Sequence, residues 1–244
     1  MSENTLVIKN IASIFVEGAT DRIMYKTLFV KILGYRELKN EELEVLQQEM
    51  KFGGELIPLK DSIVLYSDFR NSLLTIKSKY GKDNLLKFAK ESFDVIILLK
   101  RSLKSAFPIE GFKVEIQNLF IAFVFDEDMD IEKLNELRKV YRDHREVLIE
   151  TQLAPEKIGL EIFIQYFLNE HSDWKEWFEK CGEMLRNIKS DSFDKRRFLL
   201  AKALIGERCY YQIFGELFGK DKDEVKDYLI NSPINWINSL GELI

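Results

Sequence analysis

A chain of 244 residues, 46% hydrophobic and 32% charged, can bury a sizeable core and has the make-up of an ordinary globular protein. Its net charge of −5 argues against a broad, non-specific grip on nucleic acid, and its longest apolar runs are far too short to cross a membrane. No basic stretch leads into an apolar segment at the N-terminus, so no signal peptide is visible and a cytoplasmic location is expected.

The first element is a buried strand from Ile11 to Val16, ending in Glu17-Gly18-Ala19-Thr20-Asp21. Beyond it Ile23, Met24, Leu28, Phe29 and Ile32 recur at helical spacing, with Thr20 as N-cap and Gly34 as a stop. Residues 36–51 carry only a thin leucine stripe and read as an exposed helix broken at Gly53-Gly54. Leu56–Leu59 and Ile63–Tyr66 fit two short strands, or one strand and a turn. Leu73, Leu74, Ile76 and Tyr80 suggest a helix, and Leu85, Leu86 and Phe88 a second one beyond Gly81. Val95–Leu99 is a continuous apolar run that reads as a core strand, leading into the basic cluster Lys100-Arg101-Ser102-Leu103-Lys104.

Leu119–Phe125 is the next continuous apolar run, and it ends in Asp126-Glu127-Asp128-Met129-Asp130. A strand buried on both faces has this pattern. Ile131, Leu134, Leu137 and Tyr141 then mark a helix starting near Asp130, and Val147–Ile149 a short strand. Strands alternating with helices predict an α/β fold with a mostly parallel sheet flanked by helices. From Pro155 onward the spacing is helical, through Phe163, Trp177, Phe198 and Phe214, with Ser232-Pro233 opening a last helix. Residues 1–153 are therefore expected to form the α/β domain, and 154–244 an all-helical region packed on it. Cys181, Cys209, His144 and His171 stand apart and form no disulfide framework or zinc-ligand spacing.

In an open parallel sheet, ligands gather at the carboxyl ends of the strands. Glu17 ends one strand, and Asp126 and Asp128 end another. If the two strands are neighbours, the carboxylates repel at close range unless a cation lies between them. A hard divalent ion held by oxygens fits that need, and its open positions can take phosphate oxygens.

Phe15-Val16-Glu17-Gly18-Ala19-Thr20-Asp21, with a later apolar strand running into Asp126-x-Asp128-x-Asp130, resembles the Toprim domain. That module is shared by topoisomerases, bacterial-type primases, OLD-type nucleases and small RNA-maturing nucleases. The resemblance implies Mg²⁺ (or Mn²⁺) held by Asp126 and Asp128, with Asp130 and Glu17 as further ligands. It implies that Glu17 is also a general acid or base in phosphodiester chemistry, and that Asp21 is an accessory acidic residue. Gly159-Leu160-Glu161 resembles a segment seen after the acidic strand in some single-domain prokaryotic relatives, which would add Glu161. Lys100 and Arg101 could steady a phosphate; a solvated turn is the plainer reading. Glu17 and Asp126 are farther apart than a minimal module needs, so residues 36–90 are expected to carry an insertion, or the strand order differs.

Two other readings of the aspartates fail on sequence. A haloacid-dehalogenase phosphatase places its Asp-x-Asp near the N-terminus, not past the midpoint. An EF-hand loop starting at Asp126 would have Ile131 where glycine belongs and Leu137 where glutamate belongs. The expected function is metal-dependent cleavage of nucleic acid. The alternatives are a non-catalytic Toprim module that binds nucleotide or nucleic acid beside a protein partner docked on the helical region, and a primase-like nucleotidyltransferase. Primer synthesis needs a template grip, and only Lys195-Arg196-Arg197 forms a tight basic triplet, so cleavage is preferred.

Overall fold

The computed structural model describes residues 6–31, 33–50, 54–102, 107–109, 111–126 and 129–152. Within them the chain runs β1 (Leu6–Val16), α1 (Ala19–Lys31), β2 (Arg36–Glu37), α2 (Asn40–Glu49), β3 (Ile63–Ser67) and β4 (Ser72–Ser78). It continues through α3 (Lys82–Glu91), α4 (Phe93–Ser102), β5 (Phe107–Ile109), β6 (Phe112–Asp126), α5 (Ile131–Val140) and β7 (Val147–Gln152). The fold is α/β. One seven-stranded sheet has the order β2-β3-β4-β1-β6-β5, with β7 also pairing β6. The pairings of β1 with β4, β1 with β6 and β6 with β7 are parallel, and those of β2, β3 and β5 with their neighbours are antiparallel.

The two apolar runs become the centre of the sheet because each lies between neighbours and is covered on both faces. Ile11 to Val16 are all buried, as are Phe120 to Phe125, and they pair in register from Ile11 with Leu119 to Val16 with Val124. On one face Phe15 stacks on Phe123, with ring centroids 5.6 Å apart, and Phe88 of α3 tilts against Phe15 at 4.8 Å. Helices α2 to α5 cover this face, and the Tyr141 hydroxyl donates to the Ala89 carbonyl at 2.6 Å to tie α5 to α3. The other face packs under α1 through Met24, Tyr25, Leu28 and Phe29.

Several expected elements differ. Val95–Leu99 is helix, part of α4, not strand: Ile96 and Leu99 are buried while Val95 and Leu98 are exposed, so only one stripe of the apolar run faces the core. Leu73, Leu74 and Ile76 lie on strand β4, where Ser72 to Ile76 are all buried between β3 and β1. A strand buried on both faces imitates a helical stripe in so short a window. Leu56–Leu59 is a turn running into irregular chain, leaving Ile63–Ser67 as the strand of that pair. Helix α1 begins at Ala19, so Thr20 lies within its first turn and does not precede it as a cap. Asp128, Glu161, the triplet Lys195-Arg196-Arg197 and the expected helical region 154–244 lie outside the described residues.

Candidate functional site

Strands β1 and β6 are neighbours, yet the helices that follow them go to opposite faces: α1 to one, α5 to the other. Connections that part in this way open a crevice at the carboxyl ends of the two strands, the usual ligand position in open α/β sheets. Glu17 follows the last residue of β1, and Asp126 is the last residue of β6. The Glu17 side chain is buried, and its Oε1 accepts a hydrogen bond from the Asp126 backbone N–H at 2.9 Å. A charged acceptor on a backbone amide is a strong bond, and it fixes one strand end against the other.

Asp21 is buried one turn into the site, where its Oδ2 accepts from the Gly18 N–H at 2.7 Å. An acidic side chain on the first amides of a helix is favourable by charge as well as by hydrogen bonding. A turn further along α1, the Tyr25 side chain is fully buried. Burial, then the fields of Asp21, Asp126 and Glu150, push its phenol well above the ordinary tyrosine value. The fields of Asp21, Asp126 and Glu150 all reach this phenol, and Glu17 touches Asp126 through its amide.

Glu150 was not singled out by the sequence. It lies on β7 opposite Val124 of β6, which turns it to the same face as Asp126 two residues on. Burial raises its carboxyl pKa, and Arg138, 3.9 Å away, offsets only part of this. The available signal was a lone acid following Val147-Leu148-Ile149 at the carboxyl end of a strand. Asp130 plays a different part, since its Oδ1 accepts from the Glu132 N–H at 2.9 Å and caps α5.

The basic cluster lies elsewhere. Lys100 and Arg101 are in the last turn of α4, and the Lys100 ammonium pairs with Glu146 at 2.8 Å. Glu146 precedes β7 at its amino end. Six residues of extended strand, roughly 20 Å, separate that end from Gln152, the partner of Asp126. Neither basic residue joins the carboxylates. A separate open cleft of about 510 Å³ between α2 and the 54–60 segment is lined by Glu44, Gln47, Leu59, Lys60 and Lys77, and it contains none of the candidate catalytic, metal or phosphate-binding residues.

Among the described residues no group of three or more acidic, histidine or cysteine side chains is close enough to form a ready-made metal cage. The chemistry of the donors at the crevice is nonetheless uniform. All are carboxylate oxygens, the ligands of hard cations such as Mg²⁺. Glu17 and Asp126 lie at adjacent strand ends.

No protein-family model matches the sequence, and no curated protein matches it. Among solved structures, the chain is similar to a hypothetical protein from Pyrococcus horikoshii OT3 at 17% identity and a TM-score of 0.43, over 84% of this chain and 93% of that one.

Proposed function

We propose that the crevice between β1 and β6 is a Toprim-type site for Mg²⁺- or Mn²⁺-dependent cleavage of nucleic-acid phosphodiesters. The observation that carries this reading is the 2.9 Å contact between the Glu17 carboxylate and the Asp126 amide, at adjacent parallel strand ends whose connections part to opposite faces. Two sequence islands more than a hundred residues apart are useful to each other only if they meet. Asp126 and Asp128 would hold the cation, with Glu17 beside them.

The bound ion would supply positive charge that offsets the carboxylates and polarises a phosphodiester oxygen. The chain's own groups divide the remaining work. Glu17, oriented by the Asp126 amide, exchanges a proton with water or with the leaving oxygen. Asp21 holds the first turn of α1 in place, with Tyr25 buried one turn further along the same helix.

The test is cleavage of end-labelled single-stranded DNA, duplex DNA and RNA with Mg²⁺ or Mn²⁺, beside an Asp126→Asn variant. We expect cleavage that needs metal and falls to background in the variant, with Mg²⁺ raising the unfolding midpoint of the parent protein only. Equal cleavage by both proteins would overturn the catalytic reading. Binding of Mg²⁺ by calorimetry without any cleavage would favour the nucleic-acid- or nucleotide-binding module instead.

A further inference from the structure

Among the described residues three non-glycine residues have positive φ: Asp61 at 57°, Asn71 at 51° and Tyr80 at 56°. Aspartate and asparagine are the side chains that tolerate this region; a bulky aromatic there is an outlier that costs energy. Packing does not repay the cost, because Tyr80 is 71% exposed. A strained, solvent-facing aromatic in a well-formed turn calls for a use outside the fold.

Its location indicates one. Tyr80 lies in the turn between β4 and α3, which is fastened to the carboxylate end of β1. The Lys79 N–H donates to the Val16 carbonyl at 2.9 Å, and the Gly81 N–H donates to the Glu17 carbonyl at 3.0 Å. The aromatic ring is thus anchored one residue from a direct backbone contact with Glu17. Lysines flank it in Lys77-Ser78-Lys79-Tyr80-Gly81-Lys82. Lys79 is committed to the protein, with its ammonium 3.2 Å from the Phe88 ring centroid and 3.2 Å from Glu55. Lys77 serves the separate cleft beside α2, where it donates to the Lys60 carbonyl at 3.4 Å.

We propose that Tyr80 is a stacking platform for an unpaired base of single-stranded nucleic acid, beside the phosphodiester presented to Glu17 and Asp126. The proposal rests on the nucleic-acid reading of the crevice and adds the substrate class. Exposed aromatics take bases whose faces are free, and a duplex hides those faces in its own stack. A chain of net charge −5 offers little general attraction to a polyanion, so a contact made by a ring face suits this surface.

The test is binding in EDTA of a 2-aminopurine-labelled single-stranded 12-mer, as DNA and as RNA, and of the same DNA as a blunt duplex. The proteins are the parent, Tyr80→Phe, Tyr80→Ala and Tyr80→Gly. We expect the parent and Tyr80→Phe to quench the 2-aminopurine. Tyr80→Ala and Tyr80→Gly should weaken single-strand binding by about 5- to 150-fold. Duplex binding should be weak and equal in all four. Tyr80→Gly should also raise the unfolding midpoint, because glycine relieves the strain, so its lost binding would not be lost folding. Three results would each overturn the proposal: Tyr80→Ala binding like the parent, Tyr80→Phe losing as much as Tyr80→Ala, or no single-strand binding by the parent. Neither metal nor cleavage enters this measurement. Unimpaired cleavage by Asp126→Asn would sink the catalytic reading and leave a positive stacking result standing.

Discussion

Glu146 and Glu150 stand four residues apart along one edge of the sheet, both partly buried, and their carboxyl groups shift in opposite directions. Burial pushes Glu146 up, but hydrogen bonds from Lys100, its own backbone and His144, with the Lys100 charge, together hold it below the usual carboxylate range. Burial pushes Glu150 up as well, and there the effect survives, because Arg138 gives its Nε to the Ile149 carbonyl and reaches Glu150 only at 3.9 Å. At the amino end of β7 the protein supplies its own counter-charge, and the contact is a clasp between α4 and the strand. At the carboxyl end Glu17 meets the Asp126 amide, and Glu150 shares a face of the sheet with Asp126, where burial leaves its carboxyl raised. One end is arranged for stability. The other keeps a buried carboxyl whose ionised form burial disfavours and Arg138 only partly restores.

The strongest way to break this contrast is at Glu17. Glu17→Gln keeps an oxygen to accept the Asp126 amide, so the strand ends should stay together while proton transfer is lost. Steady-state kinetics should then show kcat lower by about 10²–10⁴-fold, with the unfolding midpoint little changed. A fall of only a few-fold would make Glu17 a structural clasp like Glu146. Next in size is Phe123→Ala, which belongs to neither end. Phe123 is fully buried between Phe15 and Phe88, and its truncation should cost about 3–5 kcal/mol in chemical denaturation. Mg²⁺ should still raise the midpoint of that variant, because the carboxylates are untouched. Loss of the Mg²⁺ response would mean that the site depends on the core packing beneath it.

The pairing of Glu17 with Asp126 was legible because both acids interrupt long apolar runs at their ends, and only a strand end makes that arrangement sensible. Fold class was legible for the same reason. Short runs without a clear period were not. Val95-Ile96-Ile97-Leu98-Leu99 satisfies a buried strand and an amphipathic helix equally, and tertiary packing selected the helix. Leu73, Leu74 and Ile76 posed the same ambiguity and resolved to strand, because β1 and β3 offered partners on both edges. Glu150 could not be read from its neighbours. A single acid after Ile149 looks like a solvated residue until β7 is set beside β6 and turns it toward Asp126. The conformation of Tyr80 is likewise a product of the turn between β4 and α3, and nothing in its spacing signals it.

The smallest effect tests the contrast between the two ends of β7 most directly. A carboxyl whose folded value is lowered stabilises the protein above the ordinary glutamate range, and that stability is lost as pH falls through the lowered value. Glu146 is such a group, so Glu146→Gln should destabilise at pH 7, by about 0.2–1 kcal/mol given the exposure of Lys100. A carboxyl whose folded value is raised behaves in the opposite sense. Its favourable state is the protonated one, present below the ordinary range and lost as pH rises through the raised value. Glu150 is that case, so Glu150→Gln should raise the metal-free unfolding midpoint at pH 7. The Glu150→Gln difference should vanish below about pH 4, where the unfolded carboxyl is protonated too, and the Glu146→Gln difference only below the lowered folded value of Glu146. Thermal scans of the two variants across pH, with and without Mg²⁺, check the signs. Mg²⁺ bound beside Asp126 should shrink the advantage of Glu150→Gln, since a nearby cation favours the ionised carboxylate that burial disfavours, and should leave the Glu146→Gln deficit unchanged because that charge is already neutralised by Lys100.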